Sequence, residues 1–254
     1  MAGGLDGRHA LVTGGGRGIG RAVATAMSAA GVRVTLLGRD RAALDRALAE
    51  GVGAGAVTAD VTDGEAVTAA LAQAQDQRGP IDLLIANAGA AVSAPLARSD
   101  DAVFRRMLDV NLMGVVHPSR LLAGPMAGRG FGRIVAVAST AGLKGYPYVS
   151  AYCAAKHAVI GFVRALALEI ATTGVTVNAV CPGFTDTDLV AKSLDTIIAK
   201  TGRSRDEALA ELVRHNPQRR LIEPREVAET VLWLCQDGAR SVTGQAIAVA
   251  GGEV

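Results

Sequence analysis

Cysteine is scarce in this chain of 254 residues. Cys153, Cys181 and Cys235 stand far apart without Cys-x-x-Cys spacing, so neither a zinc site nor a disulfide framework is expected, and a reducing, cytoplasmic setting is. An excess of charge of one sign is missing as well: 26 basic and 24 acidic residues leave a net +2, with no like-charged run. That argues against nucleic acid and membrane surfaces as partners. No unbroken apolar stretch approaches the roughly 20 residues of a membrane span. The amino terminus, "MAGGLDGRHALVTGGG", has no basic segment leading into an apolar one, so export is not expected. There is neither a low-complexity linker nor a repeat of about 20–50 residues. His117 and His215 lack metal-ligand partners at useful spacing, and no metal is expected. These absences leave a globular protein that handles a small molecule.

Half of the residues are apolar, enough for a full core. Short β-branched runs alternate with longer Ala/Leu-rich segments of helical periodicity. "HALVTG", "VRVTLLG", "AGAVTAD", "IDLLIANAG", "GRIVAVAS", "VTVNAVCPG" and "QAIAVAGG" predict seven strands, apolar throughout, as parallel strands covered on both faces are. Cap signals predict the helices between them: Thr62 with Glu65 as a capping box, Ser150 before "AYCAAKHAVIGFVRALALEI", and Pro224 opening "REVAETVLWLC". The expected architecture is one α/β domain over 1–254, a three-layer, doubly wound Rossmann fold. Residues 184–223, with Leu189, Val190, Leu194, Ile197 and Ile198 at helical spacing, predict helices outside the sheet that form a lid over the substrate.

"LVTGGGRGIGRAV" follows the first strand and opens a helix, placing Gly14, Gly18 and Gly20 where backbone amides and a helix N-terminus meet a phosphate. It departs from the Gly-x-Gly-x-x-Gly fingerprint, and alone it would also suit a tight turn. At the end of the second strand a dinucleotide fold chooses between a free ribose hydroxyl and a 2′-phosphate. Arg39 stands there, with Arg17 in the glycine loop, and two guanidinium forks favour NADP over NAD. Asp40 is the competing feature, a carboxylate one position later that suits the ribose of NAD.

Tyr152 and Lys156 lie four apart on a predicted helix and share a face. A phenol with an ordinary pKa near ~10 is a poor proton donor and acceptor at neutrality. A neighbouring ammonium stabilises phenolate and is expected to bring that pKa down. His157 is one helical step away from that face and is read as structural, as is the small Cys153.

In order along the chain, "TGGGRGIG" at 13–20, "ADV" at 59–61, "ANAG" at 86–89, "VNLMG" at 110–114, Ser139 after a strand, "YCAAK" at 152–156 and "CPGFTDT" at 181–187 resemble the short-chain dehydrogenase/reductase family from end to end. The resemblance implies a seven-stranded parallel sheet of order 3-2-1-4-5-6-7, a nicotinamide cofactor and a tetrad of Asn111, Ser139, Tyr152 and Lys156. Tyr152 would exchange a proton with the substrate oxygen that Ser139 holds. Lys156 would bind the nicotinamide ribose and lower the tyrosine pKa, and Asn111 would orient a water behind the lysine. The implied cofactor contacts are Gly14, Gly16, Arg17, Gly18, Ile19 and Gly20 in the loop and Arg39 at the second strand. Asp60 and Val61 would flank the adenine, and Asn87, Ala88 and Gly89 would stand beside the fourth strand. Tyr152, Lys156, Pro182, Gly183, Thr185 and Thr187 would meet the nicotinamide end. Two positions depart from the family pattern: Ala86 replaces an Asn, and Gly16 replaces a Ser or Ala whose hydroxyl, where present, serves the ribose phosphate.

The lid phrase "DLVAKSLDTIIAKTGRS" resembles that of 3-hydroxybutyrate dehydrogenases and aromatic polyketide ketoreductases. Where the hydroxybutyrate enzymes gather a free carboxylate with glutamine, histidine and lysine, this chain has Ala91, Ala141 and Val149; Lys144 compensates only if its loop turns inward. A 3-oxoacyl thioester on CoA or a carrier protein is therefore the expected substrate, reduced with NADP(H) or formed in reverse. NAD-dependent oxidation of a cyclic or aromatic secondary alcohol, bordered by Leu143, Tyr146 and Tyr148, is the alternative. A non-catalytic dinucleotide-binding sensor is the alternative of another class. The family also implies a homotetramer through the helices beginning near Asp101 and Ser150, where Ala158 and Gly161 permit close contact.

Overall fold

The computed structural model describes residues 4–254, and the side chains of all of these except 189, 192 and 200. The expectation for the Leu189 side chain therefore lies outside the described residues. The predicted strands form at β1 His9–Thr13, β2 Arg33–Gly38, β3 Gly55–Thr58, β4 Leu83–Ala86, β5 Gly132–Val137, β6 Val175–Pro182 and β7 Ala246–Val249. They pair in the order β3-β2-β1-β4-β5-β6-β7, each pair parallel. Order and sense are those expected, and the fold is Rossmann-like.

Successive residues of a strand face opposite sides of the sheet, which is why these strands are apolar throughout. Leu11, Leu84, Ile134 and Val177 face one layer, formed by helices α3 Gly64–Arg78, α5 Gly114–Gly128 and α6 Ser150–Glu169. Val12, Leu36, Ile85 and Val135 face the other, formed by α1 Gly18–Ala29, α2 Arg41–Ala49 and α9 Pro224–Cys235. Leu11, Leu36, Leu84 and Ile85 are fully buried, each contributing about 1.5–3 kcal/mol of apolar transfer. By length and composition α6 is apolar enough to cross a membrane. Here it lies on the sheet, burying Val159, Ile160, Val163 and Ala167.

Helix starts are partly as predicted. Pro224 opens α9, and the backbone N–H of Glu223 donates to Glu226. The predicted Thr62 cap is displaced by one residue: Asp63 caps α3, accepting from the amides of Glu65 and Ala66, while the Thr62 hydroxyl donates to Asp60. A carboxylate competes successfully with a hydroxyl for orphan amides at a helix start. Ser150 is the first residue inside α6, and Val149 holds the cap position.

Two further helices, α7 Asp188–Thr201 and α8 Arg205–Val213, stand outside the sheet within 184–223 as expected. Val190, Leu194 and Ala208 form a small core between them. Both ends of this excursion are tied together, because Asp186 N–H donates to Ile222 O and Ile222 N–H to Phe184 O, both at 2.9 Å. Between β4 and α5 lies α4 Asp101–Leu108, continuous with a π-helical turn at Asp109–Met113.

Candidate active site

The strand order reverses between β1 and β4, so the connections leaving their carboxyl ends diverge and open a crevice. A cavity of about 720 Å³ occupies it. The glycine loop forms one wall under strict steric control. Gly14 has φ 65 and Gly18 φ 52, in the left-handed region that glycine populates without strain. A Cβ on Gly20 would stand 2.3 Å from Gly14 O and 2.5 Å from Asn87 Nδ2. Asn87 Nδ2 is itself fixed by Thr13 O at 2.9 Å, and the Thr13 hydroxyl accepts from the amides of Asn87 and Ala88. Ala86 is a buried strand residue, so its departure from the family pattern leaves these contacts intact. The loop is thus closed to an added methyl at Gly14 and Gly20, whereas a Cβ on Gly16 or Gly18 would meet its neighbours at 3.3 and 3.4 Å.

Gly14, Gly16, Arg17, Gly18 and Ile19 line the cavity, as do Arg39, Asp60, Val61, Asn87, Ala88 and Gly89. Asn111, Tyr152 and Lys156 line its other end, and Thr187 lines it beside the glycine loop, while Ser139 stands outside the lining. Gly20 lies behind the loop. Pro182, Gly183 and Thr185 are set back at the end of β6, outside the lining. Thr185 is buried, its hydroxyl donating to Gly183 O. The start of α7 approaches the glycine loop, with Thr187 Cγ2 3.4 Å from where a Cβ on Gly18 would be.

At the second strand, both arginines carry carboxylate partners. Arg17 pairs with Asp40 at 3.1 Å and Arg39 with Asp60 at 3.3 Å, and all four side chains are solvent-accessible. Asp40 has a second task, capping α2 through Ala43 N–H. Burial pushes the Asp60 carboxyl up, but the Thr62 amide and hydroxyl and then Arg39 outweigh it and hold the group below its ordinary range.

The π-helical turn places Asn111 deep in the interior. Its Nδ2 donates to Ala90 O at 2.9 Å and to Met107 O at 3.0 Å, and its Oδ1 accepts from Ala90 N–H at 3.3 Å. Such turns widen a helix locally and free a carbonyl for a side chain. Gly89 admits this approach, since a Cβ there would lie 2.8 Å from Asn111 Oδ1 and 3.6 Å from Lys156 Nζ. Lys156 is 4 % exposed. Its Nζ donates to Val137 O at 2.9 Å, and burial pushes its pKa down to about 8. Ser139 follows β5, where its hydroxyl accepts from Ala141 N–H and bonds the Tyr152 phenol. Asn111, Ser139, Tyr152 and Lys156 thus converge from three elements on one end of the crevice.

One expectation is corrected. The Tyr152 phenol is pushed up by burial, and the opposing Ser139 hydrogen bond does not compensate. Lys156 Nζ is engaged with Val137 O and stands 5.7 Å from the ring centre. His157 is solvent-facing and bonds Cys153 O of its own helix. His117 bonds Val61 O. No cluster of potential metal ligands occurs among the described residues.

Residues 8–198 match the short chain dehydrogenase family. The chain belongs to that family. It is 39 % identical over 252 residues to galactitol 2-dehydrogenase (L-tagatose-forming) of Cereibacter sphaeroides, covering 98 % of this chain and 95 % of that one. It is 37 % identical over 250 residues to the 3-oxoacyl-acyl-carrier-protein reductase FabG of Haemophilus influenzae, covering 98 % of each. The crystal structure of an actinorhodin polyketide ketoreductase variant with NADPH superposes with a TM-score of 0.92 at 38 % identity, covering 97 % of each chain. The protein is accordingly an NAD(P)-dependent oxidoreductase that interconverts a carbonyl and a secondary alcohol, and the sensor alternative falls.

One residue at this end of the fold was not singled out from the sequence. Glu253 lies buried beneath the loop that follows Ser139, bonded to Lys144 and Tyr146. The signal preceding it is the pair Gly251-Gly252 after β7, which marks a sharp turn.

Proposed function

We propose that the protein reduces 3-oxoacyl thioesters with NADPH, or oxidises the matching 3-hydroxyacyl thioesters. The observation that carries this reading is the engagement of Lys144 by Glu253 at 3.1 Å. With Ala91, Ala141 and Val149 at the other clamp positions, no free cation on these loops awaits a substrate carboxylate, and the reacting end of the substrate is read as uncharged. Preference for NADPH is supported by Arg17 and Arg39 on the crevice rim and by Asp40, which is committed to Arg17 and to the α2 cap. The relative crystallised with NADPH agrees.

When bound, the nicotinamide supplies the hydride in reduction and accepts it in oxidation. In this reading Tyr152 passes its phenolic proton to the substrate oxygen as charge develops there, and Ser139 holds the same oxygen by a hydrogen bond; in oxidation the proton returns to Tyr152. Positioned donors of this kind are worth several kcal/mol in a dry site. Lys156 turns from Val137 O toward the ribose hydroxyls and the phenol, and Asn111 keeps a proton path open behind it. Gly14, Gly16, Gly18, Ile19 and Gly20 cradle the phosphates. Asp60 and Val61 border the adenine, and Asn87, Ala88, Gly89, Pro182, Gly183, Thr185 and Thr187 support the rest of the cofactor. Helices α7 and α8, tied at their base, act as the lid within one domain over 1–254.

We further read the protein as a cytoplasmic homotetramer. Its cysteines are free and buried, and α6 presents Ala154, Gly161, Ala165 and Leu168 to solvent on one side. A second substrate reading, a cyclic or aromatic secondary alcohol with NAD, rests on Tyr148, exposed on the loop before α6. The deciding experiment follows oxidation of NADPH and NADH with acetoacetyl-CoA, longer 3-oxoacyl thioesters, acetoacetate and cyclic ketones, with Tyr152→Phe alongside. Thioester turnover with NADPH that vanishes in the variant supports the proposal. Turnover confined to cyclic ketones or to NADH replaces it with the second reading.

A further inference from the structure

Glu253 is an acid buried beside the active site, its side chain 2 % exposed. The turn before it delivers it there. Gly251 has φ 62 and Gly252 φ 89, and a Cβ on Gly251 would lie 2.2 Å from Asn216 Oδ1. The chain therefore runs tight against buried Asn216 and turns Glu253 inward. Its Oε1 accepts from the Tyr146 hydroxyl at 2.6 Å and pairs with Lys144 Nζ at 3.1 Å. Nζ also donates to the Glu253 carbonyl at 3.2 Å.

The cluster borders the chemistry on two sides. The Tyr146 hydroxyl lies 2.7 Å from that of Thr140, the residue after Ser139. Since Tyr146 gives its proton to the carboxylate, Thr140 is the donor in that pair. On the other side, a Cβ on Gly183, at the end of β6, would lie 3.3 Å from Glu253 Oε2. The Tyr146 ring meets Phe184 edge-on at 6.3 Å. One buried acid thus joins the loop after Ser139 to the segment leading into the lid.

Lys144 is the sole cation in residues 140–149, and it is this acid's partner. We propose that Glu253 sets the charge selectivity of the substrate pocket, withholding Lys144 from a substrate carboxylate and so favouring carbonyl substrates that are uncharged near the reacting carbon over free 3-keto acids. This rests on the reading of the site as a carbonyl reductase. Burial sharpens the effect, because a charge shielded from water acts on its neighbours through a lower effective dielectric. A selectivity built in this way comes from the cation that the rejected substrate is denied as much as from contacts to the accepted one.

The test pairs acetoacetate with ethyl acetoacetate, which share a carbonyl and differ in charge. Both are assayed with NADPH on the wild type, Glu253→Gln and Glu253→Gln/Lys144→Met. Glutamine keeps the acceptor for Tyr146 and removes the charge. The ratio of acetoacetate to ethyl acetoacetate in kcat/KM is expected to rise about tenfold in Glu253→Gln and to fall back in the double variant. Dissociation constants of both compounds from the NADPH complex, read by nicotinamide fluorescence, give the same ratio independently of turnover. A purely structural role would weaken both compounds alike, so an unchanged ratio overturns the proposal. Acetoacetyl-CoA is run in parallel: its failure, with the ratio shift intact, refutes the thioester reading and leaves the charge selectivity standing.

Discussion

The Lys156 ammonium stands 5.7 Å from the centre of the Tyr152 ring while bonded to the Val137 carbonyl. Lysine and tyrosine share a helix face, and the ammonium is held there by a strand carbonyl. Raised by burial, Tyr152 holds its proton in the cofactor-free protein, and the donor is armed before substrate arrives. Tyr152→Phe removes the proton and leaves the cradle at Gly14–Gly20 untouched. The expected result is a fall in kcat of about 10²–10⁴-fold with little change in NADPH affinity, read by steady-state kinetics and fluorescence titration. Retained turnover would remove Tyr152 from the proton path.

Lys156 makes a prediction about stability and pH. Its folded pKa, about 8, lies below the ordinary 10.5, so between these values the unfolded chain binds more protons than the folded one. Stability from this group therefore rises as pH climbs from about 8 to 10.5, and the charged lysine is a cost below that window. The full shift is worth about 3 kcal/mol. Against Lys156→Met, the wild type should be the less stable below pH 8 and should close the gap toward pH 10.5, measured as urea midpoints. The comparison cancels the opposite drift from Cys235, whose thiol burial pushes up to about 12, whereas the Cys181 thiol, pushed up to about 11 and held down in part by Lys156 itself, rises further in the variant. A gap independent of pH would mean that Lys156 is not strained by burial.

The sheet was legible because both of its faces are covered: Leu11 and Val12 point to opposite layers, and the strands read as unbroken apolar runs. The crevice was legible because glycine is forced at 14, 18 and 20 by φ or by contact. What was not legible depends on distant partners. Glu253 meets Tyr146 across 107 residues, and nothing in either neighbourhood names the other. The π-helical turn that carries Asn111 leaves no periodic signature over its five residues. The Lys156–Tyr152 spacing fixed a shared face without fixing where a flexible four-carbon stem would send its charge.

Arg39 and Arg17 predict cofactor preference. Each guanidinium now binds a carboxylate on an exposed surface, where an ion pair is worth little, so a 2′-phosphate displaces those partners at low cost. Arg39→Ala is expected to raise the KM for NADPH about 10–100-fold, the value of one or two charge-assisted hydrogen bonds, and to leave that for NADH nearly unchanged. Equal loss for both cofactors would place Arg39 outside the phosphate site.

On α6, Leu168 is 81 % exposed, on the side where Ala154 and Gly161 also reach solvent. If this face joins subunits, Leu168→Asp buries an unpaired charge at each contact, which costs several kcal/mol. Light scattering should then find a tetramer for the wild type and smaller species for the variant. A variant that stays tetrameric would move the interface elsewhere.

Gly20 gives the sharpest steric prediction. A methyl there meets backbone at Gly14 O and a pinned side chain at Asn87 Nδ2, at 2.3 and 2.5 Å. Neither yields without breaking the Asn87 bond to Thr13 O that ties β1 to β4. Gly20→Ala is therefore expected to cost about 1–3 kcal/mol of stability, as overpacking does, and to open the phosphate cradle at the same time. Gly161→Ala, where a Cβ meets nothing within 4 Å of the same chain, should instead stabilise the isolated chain by about 0.5–1 kcal/mol through helix propensity. Paired melts and NADPH titrations of the two variants separate the effects. Loss of NADPH affinity only in Gly20→Ala is the expected pattern, and unchanged affinity there would mean that the loop has room the contacts deny.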